Sequence, residues 1–299
     1  MLPRRAAVVT LLLLGACRPT PPPPPLSPPP PGARAFLVRE AQLENGPVSV
    51  HVEIPLAPAG PKPTVVSLLG DSRPLLAAGF VVATYQIHWA LLKGEAAPPP
   101  PEGAGVGKWV LAAPSAASLG EGYLRQIAAT ATEHVPRVLD YLATVPEIDV
   151  RRIGMAGGST NGFVALQAAA ADRRIRAVVA LAACGDYRTF LRDSSMGMEG
   201  RPLALAPAYE AWIRNEELIE HPQRVVHAAV LMRDRVRDPL IPIACADRTA
   251  RVLEAAYARA GVSERFRYER LEEEGHGIDQ DDSRATVAWL VQWLMPGPA

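Results

Sequence analysis

The sequence predicts an α/β domain: a mostly parallel sheet with helices on both faces. Three observations carry that expectation. Apolar runs of strand length alternate with helical patterns after an opening hairpin. Runs such as "PTVVSLL" are apolar throughout, as strands buried on both faces are. Reactive side chains follow three of the strand runs, where open parallel sheets collect their chemistry.

The elements follow in order from about Ala35. "AFLVRE" and "PVSVHVEIP" flank Asn45-Gly46, a hairpin turn signal. "PTVVSLL" is a buried strand leading to Gly70, and "LLAAGFVVATYQI" is a short helix feeding another strand. His88 to Tyr123 is irregular and holds Pro98 to Pro101. Ile127, Val135, Val138, Leu139 and Leu142 recur at helical spacing, with Pro136 kinking that helix or marking a break near its start. "RRIGMAG" (strand), "STNGFVALQAAAA" (helix) and "IRAVVALAA" (strand) come next. The segment from Asp186 to Pro222 is long for a simple connection and reads as a cap or lid insert. "VVHAAVLM" is a strand, "ACADRTARVLEAAYARAG" a helix, "RFRYERL" a strand and "TVAWLVQWL" the closing helix.

The 299 residues suit one domain of about 250 residues plus extensions. Lys+Arg and Asp+Glu balance at 31 each with no basic stripe, which argues against nucleic acid or acidic lipid surfaces as partners. Arg4 and Arg5 precede the apolar run Ala6 to Leu14, too short to span a bilayer as a helix and patterned as a signal segment. It ends in Leu14-Gly15-Ala16-Cys17, which resembles the lipobox of bacterial lipoproteins. That resemblance makes residues 1–16 a signal peptide and Cys17 a lipidated residue; an ordinary secretory signal with an unrelated Cys is the alternative. "RPTPPPPPLSPPPPG", Arg18 to Gly32, forms an extended spacer in a linker over 17–34, and 35–299 is the domain. Arg18 is not the Asp that marks inner-membrane retention in enteric lipoproteins, so the expected location is the bacterial envelope, at the outer membrane. The remaining cysteines, Cys184 and Cys245, have no metal-ligand spacing and read as two buried free thiols, with a disulfide as the alternative.

"RRIGMAGGSTNGFVALQ", Arg151 to Gln167, bends from strand to helix at Ser159 and Thr160. Asp238 lies six residues after a strand ending at Met232, and His276 follows the last strand run. The chain order Ser, Asp, His is that of the α/β-hydrolase fold. Residues 35–299 resemble that superfamily, in its dienelactone-hydrolase-like and prolyl-oligopeptidase-like esterase branches. The family pattern VDxxRIGxxGxSxGG is mirrored by Asp149 to Gly154, then Gly157, Ser159 and Gly162; DxxVP by Asp238 to Pro242; GHGF by Gly275 to Ile278.

The resemblance implies the α/β-hydrolase fold and a Ser159, His276, Asp238 triad acting on a small-molecule ester. Ser159 is preferred to Thr160 because Thr160 would lengthen the strand by one residue and flip its pleat. Asp186 is the rival acid. The oxyanion hole is expected from the backbone N–H groups of Thr160 and Asp71. Asn161 stands where the family has a small residue, Leu69-Gly70-Asp71 replaces His-Gly-X, and Asp234-Arg235 replaces an expected His-Gly. Neither metal nor organic cofactor is needed. His51, His134, His221 and His227 read as structural; His88 is a candidate for substrate contact; Glu272 to Glu274 read as a solvated loop. A carboxylesterase is the expected activity, with a thioesterase or peptidase of the same fold behind it. The short chain without an N-terminal propeller weighs against the peptidase. A non-catalytic envelope lipoprotein using the fold as a binding module stays open, motivated by Asn161, Asp71 and the lost His-Gly.

Overall fold

In the computed structural model, residues 36–43, 48–87, 124, 127–195 and 213–295 are described. The expected signal segment, Cys17 and linker, the Asn45-Gly46 turn, His88, most of the 94–124 segment and the middle of the 186–222 insert lie outside those residues.

Strands β1 (Phe36–Gln42) and β2 (Val48–Pro55) pair antiparallel, and β2 buries Val48, Val50, Val52 and Ile54 while its alternate residues face outward. Strand β3 (Lys62–Leu68) is followed by the short helix α1 (Arg73–Ala77) and strand β4 (Val81–Ile87). A π-helical turn, Thr130–His134, leads into α2 (Val135–Leu142), so the chain changes helical pitch where Pro136 removes a backbone donor. Strand β5 (Ile148–Gly158), helix α3 (Thr160–Ala171), strand β6 (Ile175–Leu181) and helix α4 (Tyr187–Asp193) follow. Strand β7 (Ala229–Arg237), helix α5 (Ile243–Arg259), strand β8 (Phe266–Glu274) and helix α6 (Gln280–Leu294) complete the described part.

The sheet order is β1-β2-β4-β3-β5-β6-β7-β8, parallel from β4 to β8, as the sequence predicted. After β3 the chain turns to one side to form β4, and then crosses to the other side to form β5. The loops leaving β3 and β5 therefore diverge from neighbouring strand ends, which opens a crevice there. Apolar clusters form on both faces of the sheet. Leu75 and Leu76 of α1 pack with Trp289, Leu290 and Leu294 of α6. On the opposite face Val138, Leu139, Phe163, Leu166 and Leu253 from α2, α3 and α5 meet the strands. Phe163 stands 5.0 Å from Phe190 and 5.9 Å from Tyr187, centroid to centroid, which seats α3 against α4.

Four local expectations are corrected. Val225 to Ala228 are not strand but a turn closed by the Ala228 N–H donating to the Val225 carbonyl at 2.9 Å, with the Tyr257 hydroxyl within hydrogen-bond distance of the Val225 and Ala228 carbonyls. Strand β7 runs on to Arg237, so Asp238 follows it directly rather than six residues after its end. Strand β8 likewise includes Glu272 to Glu274, which remain exposed. The closing helix begins at Gln280, before Thr286, because Asp279 and Asp282 form a reciprocal capping box.

Cys184 and Cys245 are joined as a disulfide with Cα atoms 5.8 Å apart, not left as two free thiols. The turn after β6 and the first turn of α5 bury both residues in one apolar cluster, which brings the sulfurs together.

Candidate active site

Ser159 stands between β5 and α3 with φ 55° and ψ −130°, a backbone conformation that an L-residue holds only when its surroundings impose it. Its N–H donates to the Leu181 carbonyl at 2.9 Å, and its own carbonyl accepts from Gly162 at 2.8 Å. The glycines make that bend possible. A Cβ on Gly157 would lie 2.3 Å from the Asn161 carbonyl oxygen, and one on Gly162 would lie 2.7 Å from the Ala183 Cβ. The tight approach of α3 to its neighbouring strand thus falls at Gly162. Asn161 has room because its side chain reaches sideways, Nδ2 donating to the Leu68 carbonyl at 3.4 Å.

His276 is two residues past β8, beyond Gly275, whose φ of 103° turns the chain back. The Gly275 N–H donates to the Arg237 carbonyl at 3.3 Å, tying this turn to the end of β7. His276 Nδ1 is 2.7 Å from Asp238 Oδ2 and Nε2 is 2.8 Å from Ser159 Oγ. With the ring proton on Nδ1, the imidazole donates to the carboxylate and accepts from the serine hydroxyl. Asp238 Oδ1 accepts from the Leu240 and Ile241 N–H groups at 2.8 and 3.0 Å. The Asp238 side chain is 1% exposed. Burial pushes its pKa up, but the hydrogen bonds from His276, Ile241 and Leu240 outweigh it and hold the carboxyl below its usual range.

The structure brings Ser159, Asp238 and His276 into one hydrogen-bonded line. The rival acid Asp186 is elsewhere engaged, accepting from the Thr189 N–H at 3.0 Å and pairing with Arg248 at 3.2 Å. Thr160 opens α3, and first-turn N–H groups of a helix have no acceptor within it. The Asp71 carboxylate turns back on its own loop: Oδ1 accepts from Arg73 N and Nε at 3.0 and 2.9 Å, and Oδ2 from Nη2 at 2.9 Å. Those bonds lower its pKa, so the charge is committed to Arg73. His51 lies 3.1 Å from Glu40, His221 and His227 each contact a backbone carbonyl at 3.0 Å, and burial pushes His134 down to about 4.

A groove of about 970 Å³ is walled by Leu69, Asp71 and Pro74 from the segment after β3 and by Ile278, Arg284 and Val287 from the segment after His276. Ile278 lies on the backbone of Gly158, where a Cβ would meet its Cδ1 at 2.3 Å.

Arg235, a buried cation bonded to residues on both sides of His276, was not among the residues singled out in the sequence. The signal was present: Arg233, Arg235 and Arg237 alternate as strand residues do, and Asp279, Asp281 and Asp282 follow His276.

No protein-family model matches the chain, and no curated protein matches it. Solved structures do. A puromycin-hydrolyzing peptidase of Mycobacterium tuberculosis matches at 17% identity and a TM-score of 0.59, over 88% of this chain and 40% of that one. A glucuronoyl esterase from Solibacter usitatus matches at 14% identity and a TM-score of 0.55, over 88% of this chain and 87% of that one. An acylaminoacyl peptidase in complex with Z-Gly-Gly-Phe-chloromethyl ketone matches at 13% identity and a TM-score of 0.61, over 88% and 43%. The chain spans about two fifths of the length of the two peptidases. At these identities the likeness establishes the fold, and the domain has the α/β-hydrolase fold.

Proposed function

We propose that the chain is a serine hydrolase that cleaves carboxylic esters through an acyl-enzyme. The observation that carries this reading is the Ser159–His276–Asp238 line, with both imidazole nitrogens engaged at 2.8 and 2.7 Å. A serine hydroxyl is a weak nucleophile at neutral pH until a base takes its proton. Here the base is His276 Nε2, and Asp238 keeps the ring's own proton on Nδ1 so that Nε2 is free to accept.

Ser159 Oγ attacks the ester carbonyl while its proton passes to His276. The carbonyl oxygen becomes an oxyanion, stabilised by the N–H groups of Thr160 and Asp71 and by the N-terminus of α3. Collapse breaks the bond to the alcohol oxygen, which takes the proton from His276. A water then gives its proton to His276 and attacks the acyl carbon, and the returning proton frees Ser159 and a carboxylic acid. The Asp71 carboxylate does not oppose the oxyanion in this scheme, because Arg73 holds it.

Nitrophenyl esters of graded acyl length test the reaction and read the substrate: saturable hydrolysis lost in Ser159→Ala supports it. Two of the three solved structures described above are peptidases, and an acyl-enzyme also serves amides and thioesters. Peptide nitroanilides in the same assay separate that second reading. A folded chain that cleaves neither series would favour the binding-module reading.

We further propose that a lipid on Cys17 holds the domain at a bacterial envelope, on the strength of Leu14-Gly15-Ala16-Cys17 and the proline-rich spacer. Cys17→Ser should move the protein from the membrane fraction to the soluble one.

A further inference from the structure

Side chains two apart on a strand share a face, so Arg233 and Arg235 of β7 point the same way. Both are buried, with side chains 2% and 6% exposed. Burying a guanidinium is costly unless charges and acceptors surround it. They share Asp282, and their other partners differ. Arg233 reaches Glu269 at 2.9 Å, and Asp281 and Asp282 at 2.5 and 3.5 Å, which tie β8 and the first turn of α6. Arg235 Nη1 donates to the Gly277 carbonyl at 2.6 Å, and Nη2 to Asp279 and Asp282 at 2.8 and 2.7 Å. Its Nε faces Glu273 at 3.3 Å. Glu273, Gly277 and Asp279 flank His276 on both sides in the chain.

We propose that Arg235 is the positioning residue of His276, fixing the turn that carries the imidazole between Asp238 and Ser159. The inference rests on the catalytic reading of those three residues. The geometry is economical: Arg235 stands three residues before Asp238, and the Asp238 N–H donates to the Arg235 carbonyl at 3.2 Å. One strand end thereby sets both partners of the Asp238–His276 hydrogen bond. Arg237 adds its carbonyl, which accepts from Gly275. A planar fork that bonds a carbonyl and two carboxylates at once cannot be reproduced by a single ammonium. Arg235 touches no reacting atom; it acts through the backbone on either side of His276.

The test compares full-length Arg235→Met and Arg235→Lys with Arg233→Met, which removes a similarly buried cation whose bonds go to Glu269, Asp281 and Asp282 and not directly to residues 273–279. Two readouts are used: the low-field proton resonance of the hydrogen-bonded imidazole Nδ1–H, and kcat and KM on a nitrophenyl ester. Arg235→Met should lose the resonance and lower kcat by about 10- to 100-fold with KM changed less than about twofold. Arg235→Lys should fall between it and wild type, and it carries the comparison if Arg235→Met does not fold. Arg233→Met should lose thermal stability and keep both the resonance and kcat. Retention of both in the Arg235 variants overturns the proposal, as does equal loss in Arg233→Met. A wild-type chain that hydrolyses no ester removes the catalytic reading, and the resonance comparison still decides the positioning role.

Discussion

Asn161 Nδ2 donates to the Leu68 carbonyl across 3.4 Å, joining the first turn of α3 to the last residue of β3. The residues that follow Leu68 include Asp71, whose N–H is assigned to the oxyanion. The departure from the family pattern therefore ties together the two segments expected to supply oxyanion donors. Asn161→Ala should slow acylation by about 3- to 10-fold, the equivalent of one modest hydrogen bond, with little change in thermal stability. Burst kinetics with a nitrophenyl ester measure it. Faster acylation in the variant would show that Asn161 impairs the bend at Ser159 instead.

Two aspartates with buried side chains follow adjacent strands, and only Asp238 meets His276. Asp238→Asn should lower kcat by about 10⁴-fold, because the amide no longer selects the reactive imidazole tautomer. Asp186→Asn breaks the contact with Arg248 and should cost stability while changing kcat by less than about threefold. Paired kinetics and melting curves on both variants separate the roles; the reverse pattern would move the acid to Asp186.

Gly162 is sterically constrained. An alanine methyl there would press on the Ala183 Cβ at 2.7 Å and the Leu181 carbonyl oxygen at 3.1 Å. Gly162→Ala should destabilise the fold by about 1–3 kcal/mol and displace Ser159, so chemical denaturation and fluorophosphonate labelling should both register it. Tolerance of the methyl in both assays would contradict the packing described for α3.

Glu217 is fully buried and accepts from Arg188 Nη1 at 2.8 Å, yet burial pushes its pKa up from 4.5 to about 7. Between those two values the folded chain holds a proton that the unfolded chain has released. Its stabilising contribution is therefore full below the unfolded value and is lost as pH rises through about 7. Glu217→Gln should flatten the fall in stability across that window by on the order of 2 kcal/mol. Denaturant titrations of both proteins at several pH values test this; parallel curves would show that Glu217 is already ionised.

The fold was legible because its parallel strands are apolar runs and the reactive residues come in a recognisable order after them. Asp238 was found, but its offset was misjudged, since "RDRVR" has a single apolar residue among four charged ones, and its place in the sheet is supported by acidic partners that Arg233 and Arg235 find on β8 and α6. The Asn161–Leu68 bond spans 93 residues of chain and the disulfide 61, distances at which local pattern says nothing about contact. Asp234 shows the same limit. It was noted only as part of a missing His-Gly, whereas it lies on the other face of β7, where its Oδ1 accepts from the Ala183 N–H at 2.8 Å and burial raises its pKa.

The central claim is that His276 and Asp238 make Ser159 a nucleophile. Intact-mass analysis of the folded chain after exposure to a fluorophosphonate tests it most directly. A single adduct is expected, mapped to Ser159, absent from Ser159→Ala and strongly slowed in His276→Gln. A folded wild-type chain that stays unmodified, or an adduct that persists in Ser159→Ala, would contradict it.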